Sequence, residues 1–166
     1  MNVCAQCAKI YPTCCTLSQE KGILFVLSPA EIKQIANYVQ KKNFFKTELN
    51  SAQLVQSLIA IFPDQKKDII RIYPPNNYHF TLALKQDKCY FLGEKGCLLP
   101  RQIRPFFCRI YPFWVRERRI TLFKDNQCLA LNQFKTVREL LKIFNISPEQ
   151  ILKLYQNYKQ ALFKRT

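Results

Sequence analysis

The stretch "CYFLGEKGCLLPRQIRPFFCRIYPFW", residues 89–114, carries three of the chain's eight cysteines among two glycines and three prolines. The Gly93–Gly96 loop and the prolines Pro100, Pro105 and Pro112 make it turn-rich, because these residues punctuate regular structure. Pro105 and Pro112 fix the backbone on either side of Cys108 and are expected to keep that loop out of regular structure. Cys89, Cys97 and Cys108 are therefore expected in loops flanking strands, where metal ligands commonly lie.

Upstream, "CAQCAKIYPTCC" (residues 4–15) supplies Cys4, Cys7, Cys14 and Cys15, and Cys128 completes the eight. A C-x-x-C pair places two sulfurs on one tight turn, the local half of many zinc and iron–sulfur sites. The second half must come from far along the chain, and the later group supplies it. Eight thiolates would satisfy two tetrahedral ions, two clusters, or one of each. Adjacent Cys14 and Cys15 diverge if locally extended, which suits two metal sites or two irons of one cluster. A zinc ribbon is disfavoured by the lack of a second C-x-x-C. The C-x2-C-x2-C-x3-C-P run of bacterial ferredoxins is missing. A thioredoxin-like motif would need a preceding strand. Buried apolar cysteine and structural disulfides are the competing readings.

The 166 residues are 48% hydrophobic and include thirteen Phe but only three Gly, a composition for one well-packed folded unit over residues 1–166. No basic stretch leads into an apolar run at the start, and no segment approaches the roughly 18 apolar residues of a membrane span. A cytoplasmic protein is expected, and a reducing compartment favours metal over cross-links. The net charge of +15, from 26 Lys and Arg against 11 Asp and Glu, raises the prior for nucleic acid or another acidic partner. Basic side chains would also offset thiolate charge at metal sites, though only a small part of the excess.

Along the chain, "GILFVL" (Gly22–Leu27) predicts a buried strand. Ser28, Pro29 and Glu31 then predict a capped helix with Ile32, Ile35, Ala36 and Val39 inward. A second helix is predicted from near Ser51, with Leu54, Val55, Leu58, Ile59 and Phe62 inward, stopping at Pro63. A short helical turn before Pro74 would complete a helical section over 28–75. "YHFTLALK" alternates as a half-buried strand from Tyr78, with His79 on the opposite phase from Phe80 and Leu82 and facing away from them. "RITLFK" (Arg119–Lys124) predicts another strand. A C-terminal helical pair over about 134–164 is marked by Val137, Leu140, Leu141 and Phe144, then by Ser147, Pro148, Ile151, Tyr155, Tyr158 and Leu162. The expected fold is α+β, predominantly helical, with a few short strands and cysteine-bearing loops forming a metal centre.

The two cysteine groups together resemble the YkgJ-type cysteine-cluster family, also called the CxxCxxCC or zinc- or iron-chelating domain. The likeness rests on Cys4, Cys7, Cys14 and Cys15. It rests further on Cys89, Phe91, Leu92, Gly96, Cys97, Arg104, Pro105, Cys108, Arg109, Tyr111 and Pro112. "VLSPAEIKQI" resembles the family's strand and acidic helix start. Cys128 resembles its last cysteine, although Leu129 stands where Pro is usual. The likeness covers about residues 4–130, and six residues separate Cys7 from the paired cysteines where two or three are commoner. What it implies is metal chelation, by zinc or iron–sulfur. Flagellin lysine methylases carry a related pattern, but nothing else in this chain suggests a methyltransferase.

Arg104 and Arg109 flank Cys108 and can donate charge-assisted hydrogen bonds to thiolates, unless they are ordinary surface arginines. Tyr111, Phe106, Phe107, Phe113 and Trp114 can form an apolar wall against solvent, or simply core. His79 is the only histidine, which argues against triad chemistry, and eight cysteines make it a secondary candidate for zinc. The glycines form neither a dinucleotide fingerprint nor a P-loop. The expected function is iron–sulfur redox chemistry or metal handling, with a redox or metal-handling protein partner. Adjacent cysteines and an apolar surround favour a cluster over zinc by a small margin. The alternative is a zinc-stabilised module presenting basic surface, "VRERRITLFK" included, to nucleic acid or a protein partner.

Overall fold

The computed structural model describes residues 3–10, 15 and 26–164. Along the chain run α1 (Val3–Cys7), β1 (Val26–Leu27), α2 (Pro29–Val39), β2 (Phe45–Leu49), α3 (Ala52–Ile61), α4 (Lys66–Ile72) and β3 (Tyr78–Leu82). There follow three pairs of strands and four helices. The strands are β4 (Leu84–Lys85), β5 (Lys88–Cys89), β6 (Leu92–Gly93), β7 (Gly96–Cys97), β8 (Phe113–Arg116) and β9 (Arg119–Leu122). The helices are α5 (Phe106–Ile110), α6 (Leu129–Gln133), α7 (Val137–Phe144) and α8 (Pro148–Phe163). The fold is thus mixed α and β, with more helix than strand and only small antiparallel sheets. Two compact units emerge, one from residues 1–16 and 91–158, the other from 17–90 and 159–166.

The second unit is built on a three-stranded sheet of order β1-β3-β2. Central β3 pairs antiparallel with both neighbours, Leu27 opposite Phe80 and Thr47 opposite the same residue. Helix α2 begins as its sequence predicts. Ser28 caps it, and the Glu31 carboxylate accepts from both the Ser28 N–H at 2.8 Å and the Ser28 hydroxyl at 2.7 Å. Gln40, with φ 54, ends it in the left-handed conformation. Ser51 caps α3, its hydroxyl accepting from the Leu54 N–H at 3.1 Å, and Pro63 stops further winding. Ile35, Leu54, Leu58, Phe62 and Ile69 are buried here, and each such side chain contributes about 1.5–3 kcal/mol by leaving water. Of the predicted strand from Gly22, residues 22–25 lie outside the described residues.

His79 takes the strand phase opposite Phe80 and Leu82, and it is buried there. It is only 9% exposed, whereas Tyr78, in the apolar phase, is 61% exposed. The cause is its polar neighbours: the Asn50 amide donates through Nδ2 to the Pro74 carbonyl at 2.9 Å, which leaves Oδ1 to accept from His79 Nδ1 at 3.1 Å. Strand β2 was not anticipated. Its apolar residue Leu49 is 53% exposed, so the burial pattern that reveals a strand in sequence is weak there.

In the first unit, β6 and β7 form one small hairpin and β8 and β9 another. The β8–β9 turn, Glu117–Arg118, has φ of 48 and 63, the paired positive values of a tight two-residue hairpin. Trp114 is buried on this hairpin against Phe107 (6.0 Å between ring centroids), Phe123 (5.3 Å) and Tyr155 (5.2 Å, edge-on). Helix α7 carries a second capping box, Thr136 with Glu139, and ends at Asn145 with φ 48. The loop expected around Cys108 is instead the five-residue helix α5, with Pro105 at its N-cap and the Pro105 carbonyl accepting from the Arg109 N–H at 3.0 Å. Proline fits a helix start because no intrahelical donor is required there.

Candidate metal centre

Five of the described cysteines are carried by short regular elements, which corrects the expectation of loops for them. Cys4 and Cys7 lie on α1, Cys108 on α5, Cys97 on β7 and Cys89 on β5, while Cys128 caps α6. Elements this short have too little periodicity to be read in sequence, and packing holds them. Residues three apart share one side of a helix, so α1 puts Cys4 and Cys7 together. Cys7 is buried and Cys4 half-buried.

Helix α1 packs against β7 and α6, and this brings in Cys97 and Cys128. Gly96 of β7, with φ +100, faces the α1 backbone. A β-carbon there would stand 3.4 Å from the Cys4 carbonyl oxygen and 3.6 Å from Ala5 Cα. Cys15 joins the same neighbourhood, since its sulfur acts electrostatically on both Cys4 and Cys97. Cys14 lies outside the described residues.

Burial disfavours the thiolate forms of Cys4, Cys97 and Cys128. Burial pushes Cys4 up to about 11, and the sulfurs of Cys15, Cys7 and Cys128 add to the rise while Arg104 opposes it. Burial also raises Cys97, against the pull of Arg104 and a backbone donor at Leu99. Cys128 is raised by burial and drawn back by the backbone N–H groups of Leu131 and Ala130 and by the Tyr111 hydroxyl. A metal at such thiols must displace their protons, so binding releases protons.

Of the side chains expected beside the sulfurs, Arg104 and Tyr111 lie by Cys4, Cys97 and Cys128. Arg104 stands by Cys4 and Cys97, with its Nε donating to the Leu99 carbonyl at 2.9 Å. Tyr111 lies beside Cys128 and donates its hydroxyl hydrogen to Asp125 Oδ2 at 2.5 Å. Arg109 lies over the Phe106 ring at 5.6 Å, and its charge reaches Arg101. Sequence reasoning missed Arg101 and Asp125. Arg101 donates to the Phe144 carbonyl at 2.5 Å and feels both Arg104 and Cys4. Its spacing of three from Arg104 was the available signal.

Cys108 is half-buried on α5 of the first unit. Cys89 belongs to the second unit, paired across a small hairpin with Leu84, and His79 lies in that unit too. Among the described residues, no three His, Cys, Asp or Glu side chains are placed to hold a metal ion as they stand. The donor set itself is soft sulfur in a half-buried, arginine-flanked setting, which suits zinc and iron–sulfur centres. Among the described residues no helix is long and apolar enough to cross a membrane. No protein-family model, curated protein or solved structure matches the chain.

Proposed function

We propose that this chain is a metal-binding cysteine-cluster protein of YkgJ type, working in the cytoplasm in redox chemistry or metal handling with a protein partner. The single observation that carries the reading is the packing of α1, which bears Cys4 and Cys7, against β7 with Cys97 and against α6 with Cys128 at its start. Cys4, Cys7, Cys15, Cys97 and Cys128 would hold the group, with Cys14, Cys89 and Cys108 as further candidate ligands. An iron–sulfur cluster would supply one-electron transfer there, whereas zinc would supply a structural cross-link.

The chain's own residues have defined tasks in this reading. Arg104 offsets thiolate charge, and Tyr111, anchored on Asp125, orients Cys128. The rings of Phe107, Trp114 and Phe123, packed together, limit water behind Tyr111. The test is metal stoichiometry in single serine variants. Cys4→Ser and Cys128→Ser should each lose metal and stability together, and Cys108→Ser and Cys89→Ser decide whether those two belong to the set. Unchanged metal content in both Cys4→Ser and Cys128→Ser would end the reading.

A second reading is a zinc-stabilised module that binds nucleic acid. It is favoured by the β8–β9 hairpin, where Arg116 lies directly opposite Arg119 and Arg118 occupies the turn. All three are exposed, and among the described residues none is ion-paired with an acid. Like charges facing across a hairpin cost stability, so phosphate binding gives them a use.

A further inference from the structure

Beyond the end of β9, the first unit holds an open cavity of about 590 Å³, within the size range of small-molecule sites. Its apolar lining comes from Leu122, Phe123, Leu131 and Phe134, and its charges from Lys124, Lys135 and Asp125. We propose that this cavity binds a small amphipathic anion, an aromatic or aliphatic monocarboxylate, with its apolar body against the phenylalanines and its carboxylate on Lys124.

Most of the lining is fixed in advance, which lowers the ordering cost of binding. The Phe123 ring is stacked on Tyr111 at 5.6 Å and held by Trp114 at 5.3 Å and Phe107 at 5.7 Å. Both oxygens of Asp125 are engaged: Oδ2 accepts from Tyr111 at 2.5 Å and Oδ1 from the Gln127 N–H at 2.8 Å. The Asn126 carbonyl accepts from Asn132 Nδ2 at 2.8 Å, and Lys135 Nζ donates to the Leu131 carbonyl at 3.1 Å. Lys124 differs. Among the described residues its side chain makes no ion pair or hydrogen bond, so all three of its N–H donors are open to a ligand, whereas Lys135 has committed one to a carbonyl.

A wall of apolar carbon beside one uncommitted cation selects for an apolar body carrying a single negative group. The isosteric amine would meet two lysines against one hydrogen-bonded aspartate. Nothing in this recognition requires bound metal, so its failure and that of the metal reading are separable.

The experiment titrates the protein as purified, its metal content measured separately, with phenylbutyrate and with phenylbutylamine. Trp114, the only tryptophan, reports through its contact with Phe123. Saturable binding of phenylbutyrate is expected, with the amine about tenfold weaker or worse, the weight of one charge-assisted contact. Lys124→Glu and Lys124→Gln should each weaken phenylbutyrate by about tenfold with the far-ultraviolet spectrum unchanged. Lys153→Glu, an exposed change on α8 outside the lining, should leave it unaltered and so exclude a mere effect of net charge. No saturable binding of phenylbutyrate, equal binding of the amine, or full affinity in both Lys124 variants would overturn the proposal.

Discussion

Gly96 sits with φ +100 directly against the backbone of Cys4, where an added β-carbon would lie 3.4 Å from the Cys4 carbonyl oxygen. That distance is ordinary contact, so space alone does not exclude a methyl group. The backbone angle does, because a side chain at this φ is strained by about 1–3 kcal/mol. Gly96→Ala should therefore destabilise the first unit by that amount and lower metal content, read by denaturant unfolding and elemental analysis. Gly93→Ala is the control. Its β-carbon would crowd the Leu98 side chain, at 2.7 Å, and meet the Gly96 carbonyl at an ordinary 3.5 Å, and Leu98 is 68% exposed and able to swing away.

Arg104 pulls down the thiols of both Cys4 and Cys97. In Arg104→Gln those thiols should ionise at higher pH, seen in thiolate absorbance. Metal affinity should fall by about tenfold or more, as for other partners that support ligands. An unaltered titration would remove Arg104 from the site.

His79 gives the second unit a pH dependence of known sign. Burial lowers its pKa from 6.5, Lys46 lowers it further and Glu48 opposes. A histidine whose folded pKa is depressed stabilises fully above the unfolded value, and that stability is lost as pH falls below it. Unfolding midpoints should therefore drop from about pH 7 to pH 5 by more in the native chain than in His79→Gln. Parallel profiles would contradict the burial of a neutral imidazole.

The facing arginines of the β8–β9 hairpin give two readouts. Arg119→Glu replaces a like-charge pair with an opposite-charge pair and should stabilise the hairpin by about 0.2–1 kcal/mol. If nucleic acid binds here, reversing Arg116, Arg118 or Arg119 should cut the slope of log affinity against log salt by about 1 each. An unchanged slope would discard this second reading.

What could be read in the sequence was what local chemistry determines. Ser28 with Glu31 marks a helix start within four residues, and the same logic located α3 and the C-terminal pair. Strands β2 and β8 escaped because their pairing partners, not their own pattern, define them. Helices α1 and α5, five residues each, are too short for a periodic signal. The burial of His79 was not legible because its partner, Asn50, is 29 residues away in sequence. At the candidate site, cysteine spacing identified the sulfurs. It did not reveal that Cys4, Cys7, Cys15, Cys97 and Cys128 influence one another while Cys89 lies in the other unit.

The most direct test is iron, zinc and acid-labile sulfide content, with a visible spectrum, on one anaerobically purified sample. The account predicts bound metal on the cysteines, as iron with sulfide in a coloured protein that dithionite bleaches. Colourless protein with stoichiometric zinc would keep the metal site and replace the cluster. Metal-free protein, intact in fold and with all eight cysteines reacting as thiols, would contradict the account.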